Sequence, residues 1–216
     1  MARGEYEGAT EAERRELDRV GAFSDGVFAI AITLLVLNLE VPDVPAGDLG
    51  NALRDLDGNI TAYFIGFAVM GRFWYAHHRL FSAIVRTDAR LIVVNLLLLS
   101  LIALMPFTTA LMGRYNETGD EIAVILYALN VGLAACADTY VDKVAFSDGM
   151  APAVSPGVRR AQIVTGWLRP AIFFASIPVA LLVSASAAQF FWLTLLLLPA
   201  VGRRVERETD AQEAAS

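Results

Sequence analysis

Long apolar stretches separated by short polar segments form the pattern of this chain. A helix that crosses the hydrocarbon core of a bilayer needs roughly 20 mostly apolar residues. Five stretches are long enough or nearly so: 20–40, 59–80, 91–113, 119–140 and 161–202. The last stretch would be roughly 60 Å long as one helix, about twice the thickness of the core. We therefore divide it at the less apolar segment 184–189 and predict six membrane helices, the last two at 161–183 and 187–202.

The distribution of basic residues orients these helices. Arginine and lysine concentrate before the first helix, between the second and third, between the fourth and fifth, and after the sixth. With an even number of helices all of these segments fall on one side, opposite Arg54 and Arg114. The positive-inside rule places that side, with both termini, in the cytoplasm. The prediction is a cytoplasmic segment 1–18, a transmembrane domain 19–202 and a cytoplasmic tail 203–216.

Composition supports a membrane protein and gives no sign of an enzyme. Hydrophobic residues make up 56% of the chain and the mean hydropathy is +0.52, whereas soluble domains are roughly 45–50% apolar. The single cysteine, Cys136, cannot form a disulfide framework. The adjacent His77 and His78 point about 100° apart on a helix and do not converge on a metal. We find no nucleotide-binding or nucleophile motif and expect no enzyme activity, cofactor or nucleic-acid partner.

Few polar side chains fall near or within the apolar stretches, and Asp25 is the most informative of them. A carboxylate at membrane depth is costly unless it faces protein, water or a cation. Asp25 therefore belongs either to a functional site or to a structural contact. Asn95, Asp138 and Arg169 are polar groups of later helices, and we expect some of them to pair with the segment that runs from Arg19 to Asp25.

One face of the first helix is entirely apolar. Positions 23, 27, 30, 34, 37 and 41 recur at helical spacing and carry Phe, Val, Ile, Leu, Leu and Val. Such a stripe usually packs against another helix or meets lipid. Lining a pore, with apolar rings that gate by dewetting, is the alternative.

Three motifs closely resemble the transmembrane protein 175 family, whose members are lysosomal and prokaryotic potassium channels. The first is Arg19-x-x-x-Phe23-Ser24-Asp25, followed by Gly-Val-Phe-Ala-Ile-Ala-Ile-Thr-Leu-Leu-Val-Leu. Phe73-Trp74-x-x-His77-His78-Arg79-Leu80-Phe81 is similar to the second helix of that family, and Asn95 with the later Pro106-Phe107 to its third. The resemblance covers roughly residues 19–110, and beyond it only the helix pattern agrees.

The resemblance implies an all-α channel without a selectivity-filter pore loop, in which first helices line a central pore. A chain with a single six-helix repeat resembles the prokaryotic members, which implies a homotetramer. Arginine outnumbers lysine sixteen to one and alanine is abundant, which favours a bacterial protein and a location in the plasma membrane. Matching positions assign the narrow apolar constriction to Ile30, further layers to Leu34 and Leu37, and a hydroxyl that favours potassium to Thr33.

The first motif itself is then expected to act as a hydrogen-bonded lock that holds the pore helix. Its members are Arg19, Phe23, Ser24 and Asp25, and two residues of the second and third helices, His77 and Asn95, are plausible partners.

Three functions remain open from the sequence. The first is a passive, potassium-preferring cation channel. The second is a proton-coupled or other secondary transporter in which Asp25, Arg169 and the histidines relay charge, although neither a second repeat nor paired helix interruptions support it. The third is a structural membrane protein.

Four aspartates after the first helix are solvated loop charges or a cation-attracting vestibule: Asp43, Asp48, Asp55 and Asp57.

Overall fold

The computed structural model describes residues 10–45, 47–54, 56–115, 121–147 and 149–214. Asp55 and the first two positions of the predicted fourth span, 119 and 120, lie outside these residues, as do parts of the predicted terminal segments. Two 3-10 segments, Leu35–Asn38 and Trp192–Leu197, follow α1 and α7. The α-helices are α1 (Glu11–Leu34), α2 (Leu49–Arg54), α3 (Asp57–Phe81), α4 (Ala89–Tyr115), α5 (Glu121–Ser147), α6 (Pro156–Leu182), α7 (Ala185–Phe191) and α8 (Leu198–Ala214).

The first helix begins well before the predicted span, because a capping box fixes its start. The Thr10 backbone N–H donates to Glu13 Oε2 at 2.7 Å, and the Glu13 backbone N–H donates to Thr10 Oγ1 at 3.3 Å. These reciprocal bonds satisfy two donors that a helix start leaves open. The polar residues 11–19 therefore continue directly into the apolar part of α1.

The long apolar stretch 161–202 is divided into two helices. α6 ends at Leu182, and Ser184 caps the start of α7 by accepting a hydrogen bond from the Ala187 backbone N–H at 3.1 Å. The break lies at the beginning of the less apolar segment 184–189. α7, the second 3-10 segment and α8 then continue to Ala214, well beyond residue 202.

Five helical stretches are long and apolar enough to cross a membrane. They are Glu11–Asn38, Ala89–Tyr115, Glu121–Ser147, Pro156–Leu182 and Ala185–Glu213. α3 is not among these five, although it has 25 residues. Polar and small residues such as Asn59, Gly71 and Arg72 lower its mean hydropathy. The chain is thus an all-helical protein with five candidate membrane helices among the residues described.

α4 and α5 form the centre of the bundle. α4 packs against α5, α5 against α6, and α6 against α8, while α1 packs on α3 and α4. The buried core includes Ile102 and Met105 of α4 and Tyr127 and Val131 of α5, none more than 1% exposed. α1 lies at the edge of this bundle, so that one of its faces is covered and the other is open.

Candidate functional site

The two faces of α1 have opposite environments. Ser24, Phe28 and Ala31, with Leu35 just beyond, follow helical spacing and are buried against α3 and α4. The other face carries the apolar stripe predicted from the sequence, and it is open in the single chain. Ile30 is 62% exposed and Leu37 is 70% exposed, whereas Val27 of the same stripe is half-buried against the core. Four further positions near them are exposed: Phe23, Thr33, Leu34 and Val41.

A buried hydrogen-bonded cluster joins α1 to α3 and α4 through Ser24, Asn95 and His77. The Ser24 hydroxyl donates to the Val20 carbonyl oxygen at 2.8 Å, and the Asn95 Nδ2 group donates to Ser24 Oγ at 2.9 Å. His77 Nε2 lies 2.9 Å from Asn95 Oδ1. All three side chains are at most 2% exposed. We call these three residues the anchor cluster.

The hydrogen-bond roles in the anchor cluster determine one another. A carbonyl oxygen only accepts, so the Ser24 proton is directed to Val20 and Ser24 Oγ must accept from the Asn95 amide nitrogen. This orients Asn95 Oδ1 toward His77, and Nε2 of the imidazole therefore carries a proton. The His77 ring stacks on Phe81 with centroids 4.1 Å apart and also contacts Phe28 at 5.5 Å. Each of these hydrogen bonds therefore has a defined donor and acceptor, and aromatic rings pack around the imidazole.

Asp25 has a partner outside the anchor cluster. Trp74 Nε1 of α3 donates to Asp25 Oδ1 at 2.9 Å, and the indole stacks on His78 with ring centroids 5.3 Å apart. Asp25 is exposed and Trp74 is 39% exposed, so this bond lies at the surface of the chain. Sequence reasoning missed it, because aromatic and basic residues together at a helix end are equally typical of anchoring at the membrane interface.

The other two members of the sequence motif do not reach the cluster. Arg19 is exposed and makes no hydrogen bond or ion pair with the residues that the structure describes. Phe23 is 57% exposed on the open face of α1. The four motif residues thus lie on different faces of α1. Ser24 contacts α4 and Asp25 contacts α3, whereas Arg19 and Phe23 are exposed.

The opposite end of the first helix is held by a second set of contacts. Leu35 is fully buried, and the Asn38 side-chain amide donates to the Pro106 carbonyl oxygen of α4 at 3.4 Å. Gly66 of α3 allows this close packing: a Cβ added there would lie 2.8 Å from Thr109 Cγ2 and 3.2 Å from Leu35 Cδ2. The first helix is therefore fixed near both ends of its buried face.

We expect the substitution Gly66→Ala to destabilise the protein by about 1–3 kcal/mol, because the added methyl group must displace Thr109 and Leu35. Gly71→Ala, on the same helix, is the matched control, since nothing lies within 4 Å of a Cβ at that position. Removing that glycine from a helix interior should be neutral or stabilising. Thermal unfolding of both variants in detergent measures the difference; equal melting temperatures would contradict the close packing at Gly66.

The Thr33 hydroxyl is directed back onto its own helix. Thr33 Oγ1 lies 2.8 Å from the Ile30 carbonyl oxygen and 3.0 Å from that of Ala29. Its proton is donated to one of these carbonyls, so the oxygen lone pairs are left facing outward from the exposed face. This orientation presents an acceptor, the kind of group that a cation requires.

A separate polar pair lies in the second half of the chain. Arg169 Nη1 of α6 contacts Asp138 Oδ2 of α5 at 2.6 Å, and both side chains are largely buried. These two residues pair with each other, whereas Asn95 alone of the three later polar residues joins the first motif. Of the four aspartates after the first helix, Asp43, Asp48 and Asp57 are exposed, and Asp55 lies outside the described residues.

Comparisons with known proteins agree on one family. The family model "Endosomal/lysosomal potassium channel TMEM175" matches residues 19–106. A protein of Streptomyces collinus named as a potassium channel is 43% identical over 118 residues, which are 53% of this chain and 57% of that protein. A protein of Chamaesiphon minutus with the same kind of name is 45% identical over 120 residues, 54% of this chain and 59% of that protein. The chain therefore matches under two thirds of the length of these relatives.

The structural comparison extends over more of the chain. A crystal structure described as a lysosomal potassium-selective channel TMEM175 homolog from Chamaesiphon minutus matches with a TM-score of 0.74 and 30% identity. The match covers 88% of this chain and 98% of that one. It therefore includes the second half of the chain, where the resemblance in sequence is confined to the helix pattern.

Proposed function

Because the chain belongs to the TMEM175 family, we propose that it is a potassium-preferring cation channel in which four copies of α1 surround a central pore. The observation that supports this most is the open face of α1. Its opposite face is anchored to α3 and α4 at both ends, and the open face carries Ile30, Leu34 and Leu37 in register. A rigidly held helix with an unpartnered apolar face is suited to form the wall of a symmetric pore.

The pore is proposed to be narrowest at Ile30. Leu34 lies about 6 Å further along the axis of α1, at 1.5 Å per residue. Leu37 belongs to the 3-10 segment, which rises about 2 Å per residue, and lies about 12 Å from Ile30. Three successive apolar rings would exclude water when they are closed and pass ions when they widen or hydrate. Thr33, between the first two rings, offers an outward-facing oxygen that replaces part of the lost hydration shell. Selectivity for potassium should be modest without a filter of backbone carbonyls.

We propose that α3 is the sixth membrane helix of each chain. Its 25 residues make a helix about 37 Å long, more than the roughly 30 Å of the hydrocarbon core. It packs between membrane-length neighbours, against α1 and α4, so its polar residues need not all face lipid. An even number of helices places the basic segments together, with both termini in the cytoplasm of a prokaryote and the channel in its plasma membrane.

The rival function, a proton-coupled transporter, has less support. A relay through Asp25, Arg169 and His77 would need these groups in contact. Instead Asp25 bonds to Trp74, His77 belongs to the anchor cluster, and Arg169 pairs with Asp138. This separation favours passive conduction, with potassium as the permeant ion and no catalytic step or cofactor.

Flux from proteoliposomes tests the proposal directly. Purified protein is reconstituted with a potassium gradient, and a proton ionophore with a pH-sensitive dye reports the charge that follows potassium efflux. We expect efflux that is faster in potassium than in sodium, does not saturate, and runs down either gradient direction. Saturable flux that requires a pH gradient would support a transporter, and absence of flux from reconstituted tetramers would support a structural role.

A further inference from the structure

A large crevice separates α3 from α6 and α8, on the side of α3 away from α1. Its volume is about 780 Å³, toward the upper end of the roughly 300–1,000 Å³ typical of small-molecule sites. On α3, Gly66 packs near Leu35 of the first 3-10 segment and Trp74 bonds to Asp25 of α1. Ile65, Ala68 and Arg72 face the crevice instead. The crevice therefore lies on a face of α3 that does not contact α1, outside the proposed pore.

The walls of the crevice are apolar, with cationic groups among them. Aromatic and aliphatic side chains from five helical segments line most of it, including Phe73, Phe173, Trp192 and Leu195. Arg72 of α3 and Arg169 of α6 line the same cavity from opposite helices. An apolar cleft with two guanidinium groups matches an amphiphile that has acyl chains and an anionic head.

The charges around these arginines are unevenly placed. Asp138 and Asp142 of α5 lie close enough to interact electrostatically with both arginines, and Arg79 also acts on Arg72. Asp138 is bonded to Arg169. Neither aspartate lines the cavity, whereas both arginines do. The surface that an occupant would touch is therefore cationic, and the two carboxylates lie outside it.

Of the two arginines that line the crevice, Arg72 is the better placed to bind an anion. It is exposed and makes no hydrogen bond or ion pair within the residues that the structure describes. Arg169 uses Nη1 for Asp138 and Nε for the Thr165 carbonyl oxygen at 3.4 Å, so part of its guanidinium is also available. Guanidinium groups bind phosphate through paired, charge-assisted hydrogen bonds.

We propose that this crevice binds an anionic phospholipid, with its phosphate on Arg72 and its acyl chains along the apolar walls. The orientation under "Proposed function" supplies the leaflet: Arg72 lies nine residues, or about 13 Å, from the cytoplasmic end of α3. Anionic lipids of that leaflet are the available amphiphiles, and arginine side chains reach several ångströms toward the headgroup level. Apart from this choice of leaflet, the proposal is independent of ion conduction.

The test uses native mass spectrometry of the full chain in detergent, with either dioleoyl phosphatidylglycerol or dioleoyl phosphatidylcholine added. It measures how much of each lipid the proposed tetramer retains. Both lipids carry the phosphate, but the ammonium group of phosphatidylcholine would lie beside the two guanidinium groups and be repelled by them. Wild-type protein should therefore bind phosphatidylglycerol about tenfold more tightly than phosphatidylcholine. Arg72→Gln should abolish this preference. Arg79→Gln is the matched control, with the same loss of charge on the same helix but outside the crevice, and should keep it.

A second variant keeps both arginines and fills the cleft. Ala68→Trp should lower retention of both lipids, because the indole occupies the space of the acyl chains. Equal binding of the two lipids by wild-type protein, or an unchanged preference in Arg72→Gln, would overturn the proposal. So would loss of the tetramer in Ala68→Trp with lipid preference intact, since the crevice would then be a contact between subunits. Potassium flux measured in parallel separates failure of the channel proposal from failure of this one.

Discussion

Replacing Ile30 with asparagine should raise potassium flux from proteoliposomes by at least about tenfold and reduce the preference for potassium over sodium. A tenfold change corresponds to a barrier lowered by about 1.4 kcal/mol. Ile30 is 62% exposed on the open face of α1, so the substitution disturbs no packing within the chain. In the proposed tetramer it would exchange an apolar ring for four amides, which hydrate ions and prevent dewetting.

Two further variants make this prediction specific. Ile30→Ala should also raise flux, by widening the ring without adding a polar group. Ile163→Asn makes the same chemical change at a 46% exposed position of α6 and should leave flux and selectivity unchanged. All three proteins are compared at equal tetramer content, determined by size-exclusion chromatography. If Ile30→Asn is tetrameric but conducts and selects as wild type does, the constriction does not lie at residue 30.

The apolar pattern predicted the helices better than their ends. In the structure the stretch 161–202 contains a helix break at Ser184, which begins the less apolar segment 184–189 and caps α7. The start of α1 was not predicted, although Thr10-x-x-Glu13 is a capping-box pattern visible in the sequence. Hydropathy identifies only the part of a helix that is apolar enough to lie in lipid. The hydrogen bonds that extend a helix into water do not change the hydropathy of the sequence, so hydropathy cannot predict where such a helix begins.

From the sequence, contacts between side chains of different helices could be predicted only for residues that belong to a family motif. Ser24, His77 and Asn95 were named together through the family resemblance, and the structure brings all three into contact. The Asp138–Arg169 pair spans 31 positions on two helices, and no periodicity relates residues so far apart. The folded arrangement of the helices creates that contact, so it could be found only in three dimensions.

Replacing Asn95 with leucine should destabilise the protein by about 2–4 kcal/mol and remove most of the proposed tetramer from detergent extracts. The reason is that Asn95 is the central member of the anchor cluster. Its loss removes both interhelical hydrogen bonds and leaves the His77 N–H buried, at 2% exposure, without an acceptor. An unsatisfied buried donor costs about 1–3 kcal/mol beyond the bond itself. α1 would then lose the contact that fixes its rotation relative to α3 and α4.

The effects of two other variants should be graded by the same physical argument. Ser24→Ala keeps the bond between His77 and Asn95 and deprives only one amide N–H of its acceptor, so we expect a loss of about 1 kcal/mol. Ser100→Ala is the control on α4: this exposed serine donates to the Leu97 carbonyl oxygen of its own helix, and its replacement should stay within about 0.5 kcal/mol of wild type. Thermal unfolding and chemical cross-linking measure stability and tetramer content together. Asn95→Leu protein as stable as Ser100→Ala would mean that helix packing alone, without the anchor cluster, holds α1 in place.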